Sequence, residues 1–295
     1  MEIGFCGTGR MGAAMVLRLI DQGHTLTVWN RTEAKAKPLR DRGARWAETP
    51  AALAARHEIV IGMLTDARAV DAVYGGANGL LSAGALPRKV LVEMGTLAPE
   101  TTKALAQRVA ATGAVLVECP VGGTIGPARE GKLLGLAAGD REGFARVKPI
   151  LEQLCRRVDF LGAIGNGAAM KLAVNLPLTV YWEALREAMA LIRDRGIDPA
   201  TALEIMQESS GGANALKSRA GKIVQALGGG TPDVGFDIDG VRKDLRIMAA
   251  VAQRAGLELP LAAKALECYD AAAAEGWGGS DGSSLVAWRA SPGKG

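Results

Sequence analysis

Glu2-Ile3-Gly4-Phe5-Cys6-Gly7-Thr8-Gly9-Arg10-Met11-Gly12 is the stretch on which the rest of the chain depends. Its first five residues are a short apolar strand. Gly7, Gly9 and Gly12 then fall in the spacing GxGxxG, ahead of a helical pattern that runs to about Gln22. Thr25 to Trp29 read as a second strand, so the glycines occupy the first turn of a βαβ unit. In that context each glycine has a task. The first permits the tight turn, the second lets a pyrophosphate approach the backbone, and the third lets helix and strand pack closely. The helix N-terminus offers unpaired N–H groups to the phosphates. Gly7, Thr8, Gly9, Arg10, Met11 and Gly12 are therefore the first candidate cofactor residues.

The second strand ends in Asn30-Arg31-Thr32. An acidic residue here would take the ribose hydroxyls of NAD and repel a 2′-phosphate. Asn30 removes that repulsion and Arg31 adds a planar cation suited to phosphate, which points to NADP, with NAD as the other cofactor such a fold accepts. Thr32 doubles as the expected cap of a following helix.

Strand and helix patterns then alternate. Helices are expected at Pro50 to Arg56, after Asp66, at Pro99 to Thr112 and at Arg141 to Cys155. Strands are expected at Ile59 to Leu64, Val90 to Glu93, Val115 to Cys119, Leu134 to Ala138 and Val158 to Leu161. The strands are rich in Val, Ile and Leu with little alternation, the mark of a parallel sheet covered on both faces. The fold class is α/β: a Rossmann-type doubly wound sheet over residues 1–162, then an all-helical domain over 163–295. Ligand-facing loops follow the strands' carboxyl ends: Leu64-Thr65-Asp66, Gly95-Thr96 and Val121-Gly122-Gly123-Thr124.

The helical part opens with Gly165-Asn166-Gly167-Ala168-Ala169-Met170-Lys171-Leu172-Ala173-Val174-Asn175. Lys171 and Asn175 stand four apart and share a helix face. Their neighbours are almost wholly apolar, which suits a buried helix, and a lysine in such surroundings rarely lacks a task. The helix is expected to reach about Arg195, roughly 40 Å, with a kink at Pro177. Further helices are expected at Leu203 to Glu208, Ala215 to Leu227, Val241 to Ala255 and Leu261 to Ala274, with a frayed tail from Ser291 to Gly295.

Composition narrows the function. The 295 residues are 48% hydrophobic and 22% charged, with a net charge of +4. Basic and acidic residues alternate, and aromatics are few, which argues against nucleic acid. No apolar run approaches bilayer length and neither end reads as a targeting signal, so a cytoplasmic location is expected. Cys6, Cys119, Cys155 and Cys268 lack ligand spacing, so reduced, mostly buried thiols are expected and no metal. His24 and His57 both fall in connectors, which leaves lysine as the leading proton carrier.

Taken together, Gly4 to Gly12, Pro120-Val121-Gly122-Gly123 with Gly131-Lys132-Leu133, Gly165-x-Gly167-x-x-x-Lys171-x-x-x-Asn175, and Lys243-Asp244-Leu245 resemble the β-hydroxyacid dehydrogenase family over nearly the whole chain. The resemblance implies an oxidoreductase that moves a hydride between NADP(H) and a small β-hydroxy acid or semialdehyde. Lys171 becomes the catalytic lysine and Asn175 its substrate-contacting neighbour. An unperturbed lysine, at about 10.4, titrates too high for this task, so its site must lower it. Thr96 and Lys243 match positions near the nicotinamide. Gly122 and Gly123 would offer backbone N–H groups to a substrate carboxylate. Gly122 stands where the family has serine, and Thr124 comes next as a further substrate candidate. Rival readings are imine reduction on the same scaffold, whose practitioners replace the lysine, and a non-catalytic NADP-binding scaffold. The expected partners are a small-molecule carboxylate and further copies of the chain, as a homodimer or homotetramer, because the apolar helices exceed what one small domain needs.

Overall fold

Alternate residues of each central strand leave for opposite sides, and this settles the layer arrangement. The computed structural model describes residues 1–290; the tail expected to fray lies outside them. The strands are β1 (Glu2–Cys6), β2 (Thr25–Trp29), β3 (Arg45–Trp46), β4 (Ile59–Gly62), β5 (Val90–Glu93), β6 (Val115–Glu118), β7 (Val121–Gly122), β8 (Leu133–Gly139) and β9 (Cys155–Phe160). Ile3, Phe5, Ile61, Val92 and Val117 enter one core, where helices Arg10–Asp21 and Arg141–Leu154 supply Met15, Leu19, Val147 and Leu151. Val60, Leu91 and Leu116 enter the other, beneath Leu53, Val73, Tyr74 and Leu105 from helices Pro50–Arg56, Ala67–Gly75 and Pro99–Ala110. Each such leucine is buried completely or nearly so, and truncating one to alanine should cost about 2–5 kcal/mol.

Hydrogen bonding orders the strands β3-β2-β1-β4-β5-β6-β8-β7, with β9 beside β8. From β3 to β6 every pairing is parallel. The order in which strands are added reverses between β1 and β4, the switch point at which open α/β sheets bind ligands. The wholly parallel sheet expected from composition does not extend past β6, because β8 runs antiparallel to both β6 and β7. The intervening helix, Ile125–Glu130, rises only about 9 Å, too little to carry the chain back for a parallel return.

The chain divides into two compact units between Lys171 and Leu172. That point falls inside the helix Asn166–Ile192, which continues through Pro177 and stops short of the expected Arg195. In the second unit, helices Pro199–Glu208, Asn214–Lys217, Ala220–Leu227, Ile238–Arg254 and Pro260–Ala272 bury Leu203, Leu216, Ile223, Leu245 and Tyr269. The Tyr269 hydroxyl donates to the Thr179 carbonyl at 3.2 Å, which fixes helix Pro260–Ala272 to the long helix. Asp198 and Asp237 cap two of the helices through their carboxylates. The single helix expected over Ala215 to Leu227 is broken at Ser218 and Arg219. Helix Ile125–Glu130 and the 3-10 turn Gly282–Ala287 carry no sequence pattern strong enough to announce them.

Candidate active site

The glycine turn shows three different reasons for lacking a side chain. Gly7 has φ +91°, and a Cβ there would lie 2.5 Å from the Met63 carbonyl oxygen. At Gly12 a Cβ would come within 1.9 Å of the Gly7 carbonyl oxygen. Gly9 has nothing within 4 Å of its missing Cβ, so its backbone is open and not packed against the protein. Thr8 beside it is 3% exposed, and its hydroxyl has no protein partner among the described residues. A buried hydroxyl without a partner next to an open backbone is what a bound pyrophosphate would satisfy. Arg10 and Met11 begin the helix behind the turn.

Asn30 is tied into this turn. Its Oδ1 accepts from the Thr8 N–H at 3.1 Å, and its Nδ2 donates to the Thr32 carbonyl at 2.9 Å. The side chain expected simply to spare a phosphate from repulsion also fixes the end of β2 to the glycine turn. Arg31 and Thr32 are exposed, and Arg31 makes no salt bridge among the described residues. Thr32 stands at the N-cap position without a capping hydrogen bond, so the cap expected of its hydroxyl is not formed. Instead of a full helix, the chain after Thr32 makes a 3-10 turn, Glu33–Ala36, and one short helical turn.

Two buried glutamates, Glu93 and Glu118, end β5 and β6 as register partners, each 1% exposed. Neither was foreseen from sequence, where each reads as the polar end of an apolar strand. Glu93 Oε1 accepts from Gly95 N–H at 2.9 Å and more weakly from Leu64 N–H at 3.4 Å. Oε2 accepts from the Tyr74 hydroxyl at 3.1 Å. Burial pushes this carboxyl up to about 7, against the pull of those donors. The expected cofactor residues Leu64, Thr65 and Thr96 lie in the two loops that this carboxylate joins.

Glu118 caps the helix that carries Lys171. Its Oε1 accepts from Gly165 N–H at 2.6 Å and Gly167 N–H at 2.9 Å, and Oε2 from Ala168 N–H at 3.2 Å. Burial raises its carboxyl above the ordinary range, opposed by those three donors and by Lys103. Gly167 is required here, since a Cβ would lie 2.4 Å from the Leu136 carbonyl oxygen. Lys171 stands one turn later, 7% exposed.

On the loop expected to meet the substrate, Gly122 of β7 pairs with Leu134 of β8, and Gly123, at φ +125°, turns the chain out. Half-buried Thr124 starts the short helix Ile125–Glu130 without capping it. A Cβ on Gly122 would meet only Leu134, at 3.5 Å, an ordinary contact that leaves room for a side chain.

In the second unit Asn175, 8% exposed, donates from Nδ2 to Asp244 Oδ2 at 2.8 Å. Lys243 Nζ lies 2.8 Å from Asp244 Oδ1. Asp244 is 1% exposed and so links two of the expected site residues, a part its place in Lys243-Asp244-Leu245 did not disclose. Among the described residues no group of three or more His, Cys, Asp or Glu could hold a metal, and no helix is long and apolar enough to cross a membrane. His24 Nε2 lies 2.7 Å from Gln153 Oε1, whereas neither ring nitrogen of His57, 1% exposed, meets hydrogen-bond geometry among the described residues. The four cysteines are unbridged, three of them buried.

Residues 2–162 match the family model described as the NAD binding domain of 6-phosphogluconate dehydrogenase. Residues 165–289 match that described as NAD-binding of NADP-dependent 3-hydroxyisobutyrate dehydrogenase. The chain is 34% identical to 3-hydroxyisobutyrate dehydrogenase of Pseudomonas aeruginosa, over 91% of each chain. It is 33% identical to glyoxylate/succinic semialdehyde reductase 1 of Arabidopsis thaliana, over 97% of each. Among solved structures, Psf3 in complex with NADP+ and 2-OPP superposes with a TM-score of 0.87 at 26% identity, covering 97% of this chain and 99% of that one.

Proposed function

The chain belongs to the β-hydroxyacid dehydrogenase family, and on that premise we propose that it is an NADP-dependent oxidoreductase acting on a small β-hydroxy acid or the corresponding semialdehyde. The cofactor supplies the hydride chemistry when bound. The protein's part is to hold that cofactor, orient the substrate and move one proton.

Gly7, Thr8, Gly9, Arg10, Met11 and Gly12 hold the pyrophosphate, and Arg31 takes the 2′-phosphate beside Asn30 and Thr32. Leu64, Thr65, Thr96 and Lys243 bound the rest of the cofactor. Gly122, Gly123 and Thr124 take the substrate carboxylate, and Asn175 contacts the substrate from a position fixed by Asp244. Lys171 gives a proton to the substrate oxygen in the reductive direction and removes it in the oxidative one.

One observation carries the reading. On the helix Asn166–Ile192, Lys171 is 7% exposed while Met170 is 44% and Leu178 36% exposed. The cation is inside and apolar side chains are outside, the reverse of what packing alone selects, so a task for the lysine must sustain the arrangement. The same exposed residues, with Leu191 at 81%, support assembly as a homodimer or homotetramer. Unbridged cysteines support a reducing, cytoplasmic setting.

The test is a panel of small aldehyde acids monitored by NADPH consumption, with Lys171→Ala beside the parent. Turnover should fall by about 10²–10⁴ while NADPH affinity is kept. Undiminished turnover in the variant would remove Lys171 from the mechanism, and a parent inert on every substrate would favour the scaffold reading.

A further inference from the structure

Glu93 lies outside the set of residues assigned to ligand contact, yet its surroundings are built for it. Gly62 and Gly95 form a cradle: a Cβ on Gly62 would lie 2.4 Å from Glu93 Oε2, and one on Gly95 2.9 Å from Oε1. Two backbone positions thus forgo side chains beside one carboxyl. That carboxyl is 1% exposed, at the carboxyl end of β5. Oε1 serves the N–H of Leu64, from the loop after β4, and that of Gly95, from the loop after β5. Oε2 is anchored by Tyr74, itself wholly buried on the helix Ala67–Gly75.

We propose that Glu93 is a positioning residue for the cofactor: one carboxyl oxygen fixes the loop bearing Leu64 and Thr65 to the loop bearing Gly95 and Thr96. The inference rests on the reading that these loops bound the cofactor. Both loops leave adjacent parallel strands at the ligand-binding edge of the sheet, where Leu64 and Leu97 still pack into the core. A shared acceptor adds to that packing a direct link between the two backbones and fixes their separation before any ligand arrives.

The protonation state does not undo the arrangement. With Glu93 ionised, Oε1 accepts both N–H groups and Oε2 accepts from Tyr74. Protonated, Oε2–H donates to the Tyr74 oxygen while Oε1 still accepts both. Glutamine has the shape and donor pattern of the protonated form, so Glu93→Gln should preserve the tether. Methionine fills the space without an acceptor.

The experiment compares parent, Glu93→Gln and Glu93→Met by NADPH affinity, by KM for NADPH against kcat, and by thermal melting without cofactor. Glu93→Met should raise the NADPH Kd and KM about tenfold with kcat nearly kept, and Glu93→Gln should stay within about threefold of the parent. A general packing defect would lower the melting temperature without this split or this rescue. Parental NADPH affinity in a folded Glu93→Met would overturn the proposal and leave the oxidoreductase reading standing. A parent that binds neither NADPH nor NADH would overturn both. Should Glu93→Met fail to fold, Tyr74→Phe decides: a raised NADPH KM at constant kcat supports the tether, and a parental KM overturns it.

Discussion

Glu118 Oε1 accepts from the Gly165 N–H at 2.6 Å, so the last residue of β6 caps the start of the helix that presents Lys171. The first turn of any helix leaves N–H groups without partners, and here a carboxylate from the sheet meets three of them. The first turn of the helix is thereby tied to β6 before Lys171 is reached. Glu118→Ala should destabilise the protein by about 1–3 kcal/mol, seen as a lower urea midpoint at unchanged m-value. Glu118→Gln, which keeps one acceptor, should fall between. An alanine variant with the parental midpoint would deny the cap any weight.

Cofactor choice should turn on Arg31. It is exposed at the end of β2, beside an Asn30 already committed to Thr8 and Thr32. Arg31→Ala should weaken NADPH by about tenfold to a hundredfold, the value of a charge-assisted contact, and leave NADH almost unchanged. Titration of both cofactors against both proteins checks this, and equal losses for the two would refute a 2′-phosphate contact.

Asp244 should matter through Asn175. Removing its carboxylate takes one acceptor from a buried amide and removes the anion 2.8 Å from Lys243 Nζ. Asp244→Ala is expected to lose about 1–3 kcal/mol of stability and to raise the substrate KM, since Asn175 loses the carboxylate that orients its amide. Steady-state kinetics at saturating NADPH measure it. An unchanged KM would mean that Asn175 is held by other contacts.

Acid should expose His57. Burial first, then the neighbouring Arg56, lowers its pKa below the usual 6.5, so the folded ring stays neutral where the unfolded one takes a proton. A cation disfavoured by folding contributes no penalty above about pH 6.5, and stability is lost as pH falls from there toward the folded value. Glu93 has the opposite sign: raised from 4.5 to about 7, it binds its proton more tightly when folded, so stability falls as pH rises through that window. The difference between parent and variant isolates each. Urea midpoints from pH 7 to 5 should fall less for His57→Leu than for the parent, and parallel slopes would refute the assignment.

Much was legible because it is local. GxGxxG between an apolar strand and a helix announces its own geometry, and β1, β2 and β5 lie where the residue pattern places them. Lys171 and Asn175 share a buried helix face because a spacing of four residues guarantees the shared face and an apolar context implies burial.

Chain order, periodicity and residue type thus determined the Rossmann-type half, the helical half and the principal candidate residues. Tertiary structure alone decided which oxygen meets which N–H. The roles of Glu93, Glu118 and Asp244 come from partners 2 to 69 residues away in sequence, and the reversal of β8 from a connection too short to cross the sheet. The reason is physical: a carboxylate at a strand end looks the same in sequence whether water or a backbone amide satisfies it, and only the folded chain supplies the amide.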